Sequence, residues 1–266
     1  MIDLTQTFWL ALLQGLTEFL PISSSGHLIL VPNVLGWPDQ GLVFDVAVHI
    51  GSLLAVVIYL RRDLGLIIRG LIGFIRRGDK NESAHLGLLV ALASLPVLVT
   101  GLWIDSEISS KLRQPLVIGM STIVFGIALW LADFYGSKCR KIENFGWRDA
   151  LIIGIAQALA LIPGTSRAGI TITAGLMIGA ERQASARFSF LMSIPVILAA
   201  GTQQGLELRM IQADVYWPAF LVGVTVSAIS AWLVIKLFMR WIERSGMLPF
   251  VLYRMILGVC ILVWLH

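Results

Sequence analysis

Glu18, Ser23, Ser24, Ser25 and His27 place a carboxylate, three hydroxyls and an imidazole close together in an otherwise apolar stretch. Serine is a weak nucleophile near neutral pH and needs a base or an electropositive setting. Histidine is the side chain best poised to move protons there. His27 follows Ser24 by three residues across a glycine, a spacing that lets the ring fold back toward the hydroxyl. Gln14 and Glu18 are spaced i, i+4 and share one face of a helical arm. A second polar cluster, Pro163-Gly164-Thr165-Ser166-Arg167, supplies what the first lacks. The planar fork of Arg167 suits bidentate contact with phosphate oxygens. A helix starting near Ala168 adds backbone N–H groups, which bind phosphate well. Ser166 and Thr171 add hydroxyls.

Together these groups suit phosphoryl transfer, where catalysis is mostly positioning and charge stabilisation. The chain has no Walker A sequence and no Rossmann glycine pattern, so hydrolysis without a nucleotide is expected over kinase or ATPase work. The plainer alternative is a structural ion pair between Glu18 and Arg167. The hydroxyls of Ser23, Ser24, Ser25, Thr165, Ser166 and Thr171 exceed what such a clasp needs. Asp45 and His49, also spaced i, i+4, are expected at the mouth of the same cavity.

Composition fixes the solvent around these groups. The 266 residues are 57% hydrophobic and 14% charged, against about a quarter charged in soluble domains. A chain this apolar needs the bilayer as its solvent. An ionisable group at membrane depth, such as Glu18 or Arg167, is costly and marks an interior site. Nine Trp agree with a membrane setting. The net charge of +4 is an orientation signal rather than a nucleic-acid footprint. Cys139 and Cys260 suggest neither a disulfide framework nor metal spacing. No Lys or Arg precedes Arg61, so a signal peptide of the usual kind is not expected.

Six apolar segments, 41–60, 85–104, 115–132, 187–206, 216–235 and 248–265, are each near the ~20 residues a spanning helix needs. Segments 4–36 and 149–180 differ. Each is broken near its middle by Pro, Gly and hydroxyl residues, and its arms are too short for two comfortable spans. Both are expected as re-entrant hairpins, because non-helical backbone at membrane depth is tolerated only inside protein or beside a wet cavity. The halves also look alike. Gln14, Pro21, Ser24 and Gly26 parallel Gln157, Pro163, Ser166 and Gly169, with a one-residue slip at the break. Phe44 and Ala55 parallel Phe188 and Ala199. The expected fold class is an all-α polytopic membrane protein, a single membrane domain built as an inverted repeat. Residues 1–135 and 136–266 would each form a hairpin followed by three spans.

Charge gives direction. The loop holding Arg61, Arg62, Arg69, Arg76, Arg77 and Lys80 should be cytoplasmic. Span parity puts the loop with Lys138, Arg140, Lys141 and Arg148, and that with Lys236, Arg240 and Arg244, on the same side. The near-neutral loops 105–114 and 207–215 fall outside. The first hairpin then enters from outside and the second from the cytoplasm. Their tips can meet near the midplane, and both termini lie outside.

The stretch Gln14-Gly15-Leu16-Thr17-Glu18-Phe19-Leu20-Pro21-Ile22-Ser23-Ser24-Ser25-Gly26-His27 resembles the first signature of the undecaprenyl-diphosphatase family, the bacitracin-resistance membrane phosphatases. Pro163-Gly164-Thr165-Ser166-Arg167-Ala168-Gly169-Ile170-Thr171 resembles the second. Arg187-Phe188-Ser189-Phe190-Leu191 and Pro249-Phe250-Val251-Leu252-Tyr253-Arg254 are similar to further family segments, so the likeness spans essentially the whole chain. The resemblance implies removal of the terminal phosphate from undecaprenyl diphosphate, regenerating the lipid carrier for peptidoglycan synthesis. It implies work at the outer side of the bacterial inner membrane with a divalent cation, Mg²⁺ or Ca²⁺. Carried over by position, Glu18 would hold metal or handle protons, Arg167 would clamp the diphosphate, and Ser24 or His27 would be the nucleophile or its partner. Ser23, Ser25, Gly164, Thr165, Ser166 and Thr171 would bind phosphate. Many members have Glu where this chain has Gln14, which leaves Gln14 a secondary ligand. Many have Ser where this chain has Ala168. The expected partners are the lipid substrate and membrane lipids, with room for a homodimer and no role for nucleic acid. A polyprenyl-phosphate transporter or flippase on the same inverted plan is the alternative from another class.

Overall fold

The computed structural model describes residues 3–79, 81–103, 111–212 and 214–264. Lys80, residues 104–110, Ala213 and residues 265–266 lie outside the described residues, so the expectations for Lys80, the loop 105–114 and the ends of two spans are not addressed by it. Among the described residues the chain forms eleven α-helices: α1 (Leu4–Thr17), α2 (Ser24–Leu35), α3 (Gly41–Tyr59), α4 (Arg61–Arg77), α5 (Glu82–Trp103), α6 (Pro115–Tyr135), α7 (Trp147–Ala158), α8 (Arg167–Met177), α9 (Arg182–Met210), α10 (Trp217–Ser245) and α11 (Leu248–Trp264). Short 3₁₀ turns occupy Ile142–Asn144 and Leu159–Leu161.

Five of these, α3, α5, α6, α9 and α10, are long and apolar enough to cross a bilayer. The sixth expected span corresponds to α11, an apolar helix of 17 residues. Two spans are longer than hydropathy alone suggests. Both α9 and α10 run 29 residues. The first extends at its N-terminus, where Arg182 pairs with Asp133 at 2.6 Å and Arg187 pairs with Asp63 at 2.6 Å. The second continues through Lys236, Arg240 and Arg244, so that basic stretch is helix rather than loop. The basic segment after the first span is also helical, since Arg61–Arg77 forms α4. Hydropathy sees where apolar residues stop. Helix propensity and capping decide where the helix stops.

The packing brings distant parts of the chain together. Helix α3 lies along α10, α1 also packs on α10, α7 packs on α5, and α6 packs on α11. Close approach explains Gly15 in α1: a Cβ there would sit 1.9 Å from Ser230 Oγ and 2.7 Å from Ser227 O of α10. Small residues at such contacts let helix backbones approach where lipid provides no hydrophobic drive. Ser52 and Ser227 hydroxyls meet at 3.0 Å in the α3–α10 seam. The main core collects Phe19, Phe145, Phe188, Phe190 and Phe238 around Ala and Leu positions of α5 to α10. The Phe19 and Phe190 rings meet edge to face at 5.3 Å. Large apolar side chains such as Leu54, Ile58, Val124 and Leu237 stay exposed, as expected of a lipid-facing surface.

Candidate functional site

Both expected breaks are real, and they are built alike. Between α1 and α2 the chain leaves the helix at Glu18–Ile22 and restarts on Ser23, which caps α2 at φ 72° and accepts a hydrogen bond from Gly26 N at 3.3 Å. Between α7 and α8 it restarts on Ser166, which caps α8 at φ 68° and accepts from Gly169 N at 3.0 Å. Serine at N-cap satisfies an orphan donor of the first turn. A positive φ in a non-glycine residue costs energy and persists only where surroundings over-determine it. Two serines sharing this conformation align Ser23 with Ser166, not Ser24 with Ser166. The slip that the sequence parallel needs therefore lies before the cap, in the Pro residues. Helix α8 begins at Arg167, one residue ahead of Ala168.

Gly164 shows why the second turn is tight. It has φ +91°, and a Cβ there would lie 2.2 Å from Ser121 Oγ and 2.5 Å from Ile118 O of α6. Ser121 Oγ donates to Pro163 O at 2.6 Å, holding the turn against that helix.

The chemistry converges on Glu18. Ser24 Oγ donates to Glu18 Oε2 at 2.6 Å. Gln14 Nε2 donates to the same oxygen at 3.0 Å. Arg167 Nη2 donates to Glu18 Oε1 at 2.8 Å from the other break. The clasp considered as the plainer alternative thus exists, and it carries a serine hydroxyl on its other oxygen. Glu18 is 9% exposed and Gln14 fully buried, so the group is an interior one. Arg167 also lies over the Phe19 ring, 5.8 Å from its centroid, which adds cation–π attraction.

Unpaired donors and acceptors show where the clasp is incomplete. Among the described residues, Gln14 Oε1, Thr165 Oγ1, Arg167 Nη1 and both amide atoms of Gln157 are buried without a hydrogen-bond partner. Buried polar groups are normally paired, and leaving one unpaired costs about 1–3 kcal/mol. Arg167 Nη1 and Gln14 Oε1 leave a donor and an acceptor on two of the side chains that hold Glu18, and Thr165 Oγ1 is a further unpaired hydroxyl in the second break.

His27 folds back as the spacing suggests, but onto the Ser23 carbonyl. Its Nδ1 lies 2.7 Å from Ser23 O and its Nε2 lies 2.5 Å from Tyr253 Oη. A carbonyl cannot donate, so Nδ1 carries the hydrogen, and in the neutral tautomer Nε2 then accepts from the tyrosine hydroxyl. The His27 and Tyr253 rings stack at 5.6 Å. Both imidazole nitrogens are therefore engaged away from the Ser24 hydroxyl. Ser25 is exposed, and its Oγ lies 3.3 Å from Ser23 Oγ. Thr171 is buried and donates to Arg167 O at 2.8 Å, with Ser189 Oγ 2.7 Å away. It secures the first turn of α8 rather than reaching Glu18.

Ser24 opens onto a cavity of about 540 Å³ whose lining includes Gln14, Ser25, Asp45, His49 and Arg113. Asp45 and His49 thus share the vestibule with Ser24, and His49 Nδ1 lies 2.7 Å from Asp45 O.

Sequence reasoning met two residues only inside a family-like segment and gave them no role. Arg254 in α11 is fully buried, and its guanidinium donates to Thr122 O (3.0 Å), Pro21 O (3.1 Å), Thr165 O (2.9 Å) and Gly164 O (2.9 Å). One cation thereby pins both breaks and α6. An arginine inside an apolar span is itself the signal that could have found it. Tyr253, its neighbour, holds His27, and nothing in its spacing announces that contact.

No group of three or more His, Cys, Asp and Glu side chains gathers among the described residues. Glu18, the unpartnered Gln14 Oε1 and Ser24 Oγ supply one carboxylate and two neutral oxygens. That set fits a hard divalent cation such as Mg²⁺, which is usually held by one or two carboxylates together with substrate phosphates.

The likeness to known proteins runs over nearly the full chain. The family described as Bacitracin resistance protein BacA matches residues 7–260. A protein of Chromohalobacter salexigens named undecaprenyl-diphosphatase is 54% identical over 255 residues, covering 96% of each chain. One of Alcanivorax borkumensis with the same name is 54% identical over 263 residues, covering 99% of each. One of Teredinibacter turnerae is 50% identical over 261 residues, covering 98% of this chain and 99% of its own. This chain belongs to the BacA family of bacitracin resistance proteins.

Proposed function

We propose that the protein is a membrane phosphatase that hydrolyses undecaprenyl diphosphate to undecaprenyl phosphate and inorganic phosphate, the activity named for its relatives. The observation that carries the reading is the Ser24–Glu18–Arg167 contact, which joins a hydroxyl nucleophile, its base and a phosphate-binding cation across the two breaks. Such recycling of the lipid carrier serves peptidoglycan synthesis and confers bacitracin resistance.

The diphosphate enters the vestibule with its polyprenyl tail between helices in lipid. Arg167 turns its unpartnered Nη1 to a phosphate oxygen, and Thr165 Oγ1 and the N–H groups at the start of α8 add donors. Ser24 Oγ passes its proton to Glu18 and attacks the terminal phosphorus. The bond from that phosphorus to the bridging oxygen breaks, and undecaprenyl phosphate leaves with the electron pair and takes the proton from Glu18, which frees the carboxylate for the second half. Water then attacks the phosphoserine and gives a proton to Glu18, the bond from phosphorus to Ser24 Oγ breaks, and Glu18 returns that proton to Ser24 Oγ as phosphate leaves. His27, held between Ser23 O and Tyr253, fixes the first turn of α2, so that Ser24 meets Glu18. Glu18, Gln14 and Ser24 would hold a divalent cation, which when bound supplies further charge neutralisation at the phosphates.

The architecture we infer is six spans and two re-entrant hairpins in inverted repeats. Supporting it, α1 packs on α10 of the other half while α7 packs on α5, a reciprocal exchange. The basic α4 and the basic end of α10 support a cytoplasmic placement of those segments. The vestibule then opens outward from the bacterial inner membrane, with both termini outside.

Phosphate release from undecaprenyl diphosphate by the purified protein in detergent tests the reading. Turnover is expected. Binding without phosphate release would leave the transporter reading in its place, because detergent removes compartments and leaves only chemistry.

A further inference from the structure

Helix α4 is not among the helices that could cross the bilayer, and it carries five arginines in 17 residues. It starts where α3 ends, at Leu60, so it lies at the edge of the membrane region. One side is fastened to the protein. Ile67 and Gly70 are buried, and a Cβ on Gly70 would meet Ala84 N at 2.7 Å. Asp63 accepts two hydrogen bonds from Arg187, at 3.0 and 2.6 Å, so the helix's one carboxylate is neutralised internally.

Besides exposed Leu66 and the terminal Arg61 and Arg77, the outer surface carries two strips at helical spacing. Ile68, Ile72 and Ile75 form one, at 55%, 46% and 79% exposure. Arg62, Arg69 and Arg76, each seven residues apart, form the other, and all three are exposed. Asp79 approaches the helix at Gly73, which leaves the basic strip well in excess. A fastened helix with an exposed apolar strip beside a basic one matches a helix lying in the bilayer interface, isoleucines in the acyl boundary and guanidinium groups at headgroup level. We propose that α4 is a binding surface for anionic phospholipid headgroups, fixing the protein's depth in that leaflet. Charge complementarity selects the headgroup, and the isoleucine strip selects a lipid over a free anion. None of these residues belongs to the candidate site.

The full-length protein, reconstituted into nanodiscs containing equal phosphatidylglycerol and phosphatidylcholine, reports this directly through the lipids it retains in native mass spectrometry. Wild type should keep phosphatidylglycerol preferentially. The triple variant Arg62→Gln, Arg69→Gln, Arg76→Gln should lose that preference, roughly fivefold in affinity per arginine. The corresponding triple lysine variant should keep it, since charge rather than fork geometry does the work. Wild type without preference, or a glutamine variant as selective as wild type, overturns the proposal. Melting each variant in detergent separates unfolding from lost binding. Should the triple variant melt early, Arg76→Gln alone carries the test, with the same fivefold expectation and the same contradicting result.

Discussion

The two breaks share a backbone and divide the chemistry. Ser23 and Ser166 adopt the same unusual φ, cap their helices through the same hydroxyl-to-glycine bond, and follow arms that carry Gln14 and Gln157. Beyond that template they diverge. The residue after the cap is Ser24 in one and Arg167 in the other. The first arm ends in Glu18, whereas the corresponding stretch of the second is the apolar turn Leu159–Leu161. On the proposed reading neither break is sufficient alone: Ser24 and Glu18 stand on one wall and the Arg167 cation on the other. The unpartnered amide of Gln157 fits this view, since it keeps the template's residue without a Glu18 to receive it.

The largest effect should come from separating the walls. Arg167→Ala leaves Glu18 buried without its cation and removes the phosphate clamp. Loss of at least about 10³-fold in kcat/KM is expected, with Arg167→Lys partly active because an ammonium supplies charge but not a fork. Steady-state phosphate release measures both, and an Arg167→Ala enzyme within tenfold of wild type breaks the division of labour. Next comes the pin between the walls. Arg254→Met removes four hydrogen bonds from a buried guanidinium to backbone carbonyls and should cost about 3–5 kcal/mol of stability, read as a lower melting temperature in detergent. An unchanged melting temperature would mean the breaks hold each other without it.

Smaller effects sharpen the first wall. Tyr253→Phe removes the hydroxyl on His27 Nε2 and should lower kcat about three- to tenfold, the value of one hydrogen bond. A drop of a thousandfold would instead make the Tyr253–His27 pair part of the proton path. Least of all, Ser23→Ala and Ser166→Ala should each destabilise by about 1 kcal/mol, the usual worth of a serine cap. Chemical denaturation that gave unequal costs would count against equivalent templates.

Much of this was legible in the sequence because bilayer physics is restrictive. Pro and Gly with hydroxyls inside an apolar run can only be an interior break, and Glu18 and Arg167 could not sit there unpaired. The placement of Ser24 against Glu18 was not legible. Spacing made His27 the natural partner of the hydroxyl, but whether an imidazole turns to a side chain or a carbonyl depends on Ser23 φ and on Tyr253, a residue more than two hundred positions away. Arg254 was hidden for a related reason. Its four acceptors are backbone carbonyls of the two breaks and of the neighbouring α6, and a carbonyl leaves no trace in a sequence. The basic segments looked like loops because charge ends hydropathy, though it does not end helices such as α4 and α10.

The most direct measurement is phosphate release from undecaprenyl diphosphate by purified Ser24→Ala with His27 intact, alongside a melting curve. A folded variant with no detectable turnover, and a wild-type phosphoenzyme that maps to Ser24, is the expected result. Near-normal turnover by the folded Ser24→Ala protein, or a phosphoryl group found on His27, would contradict it.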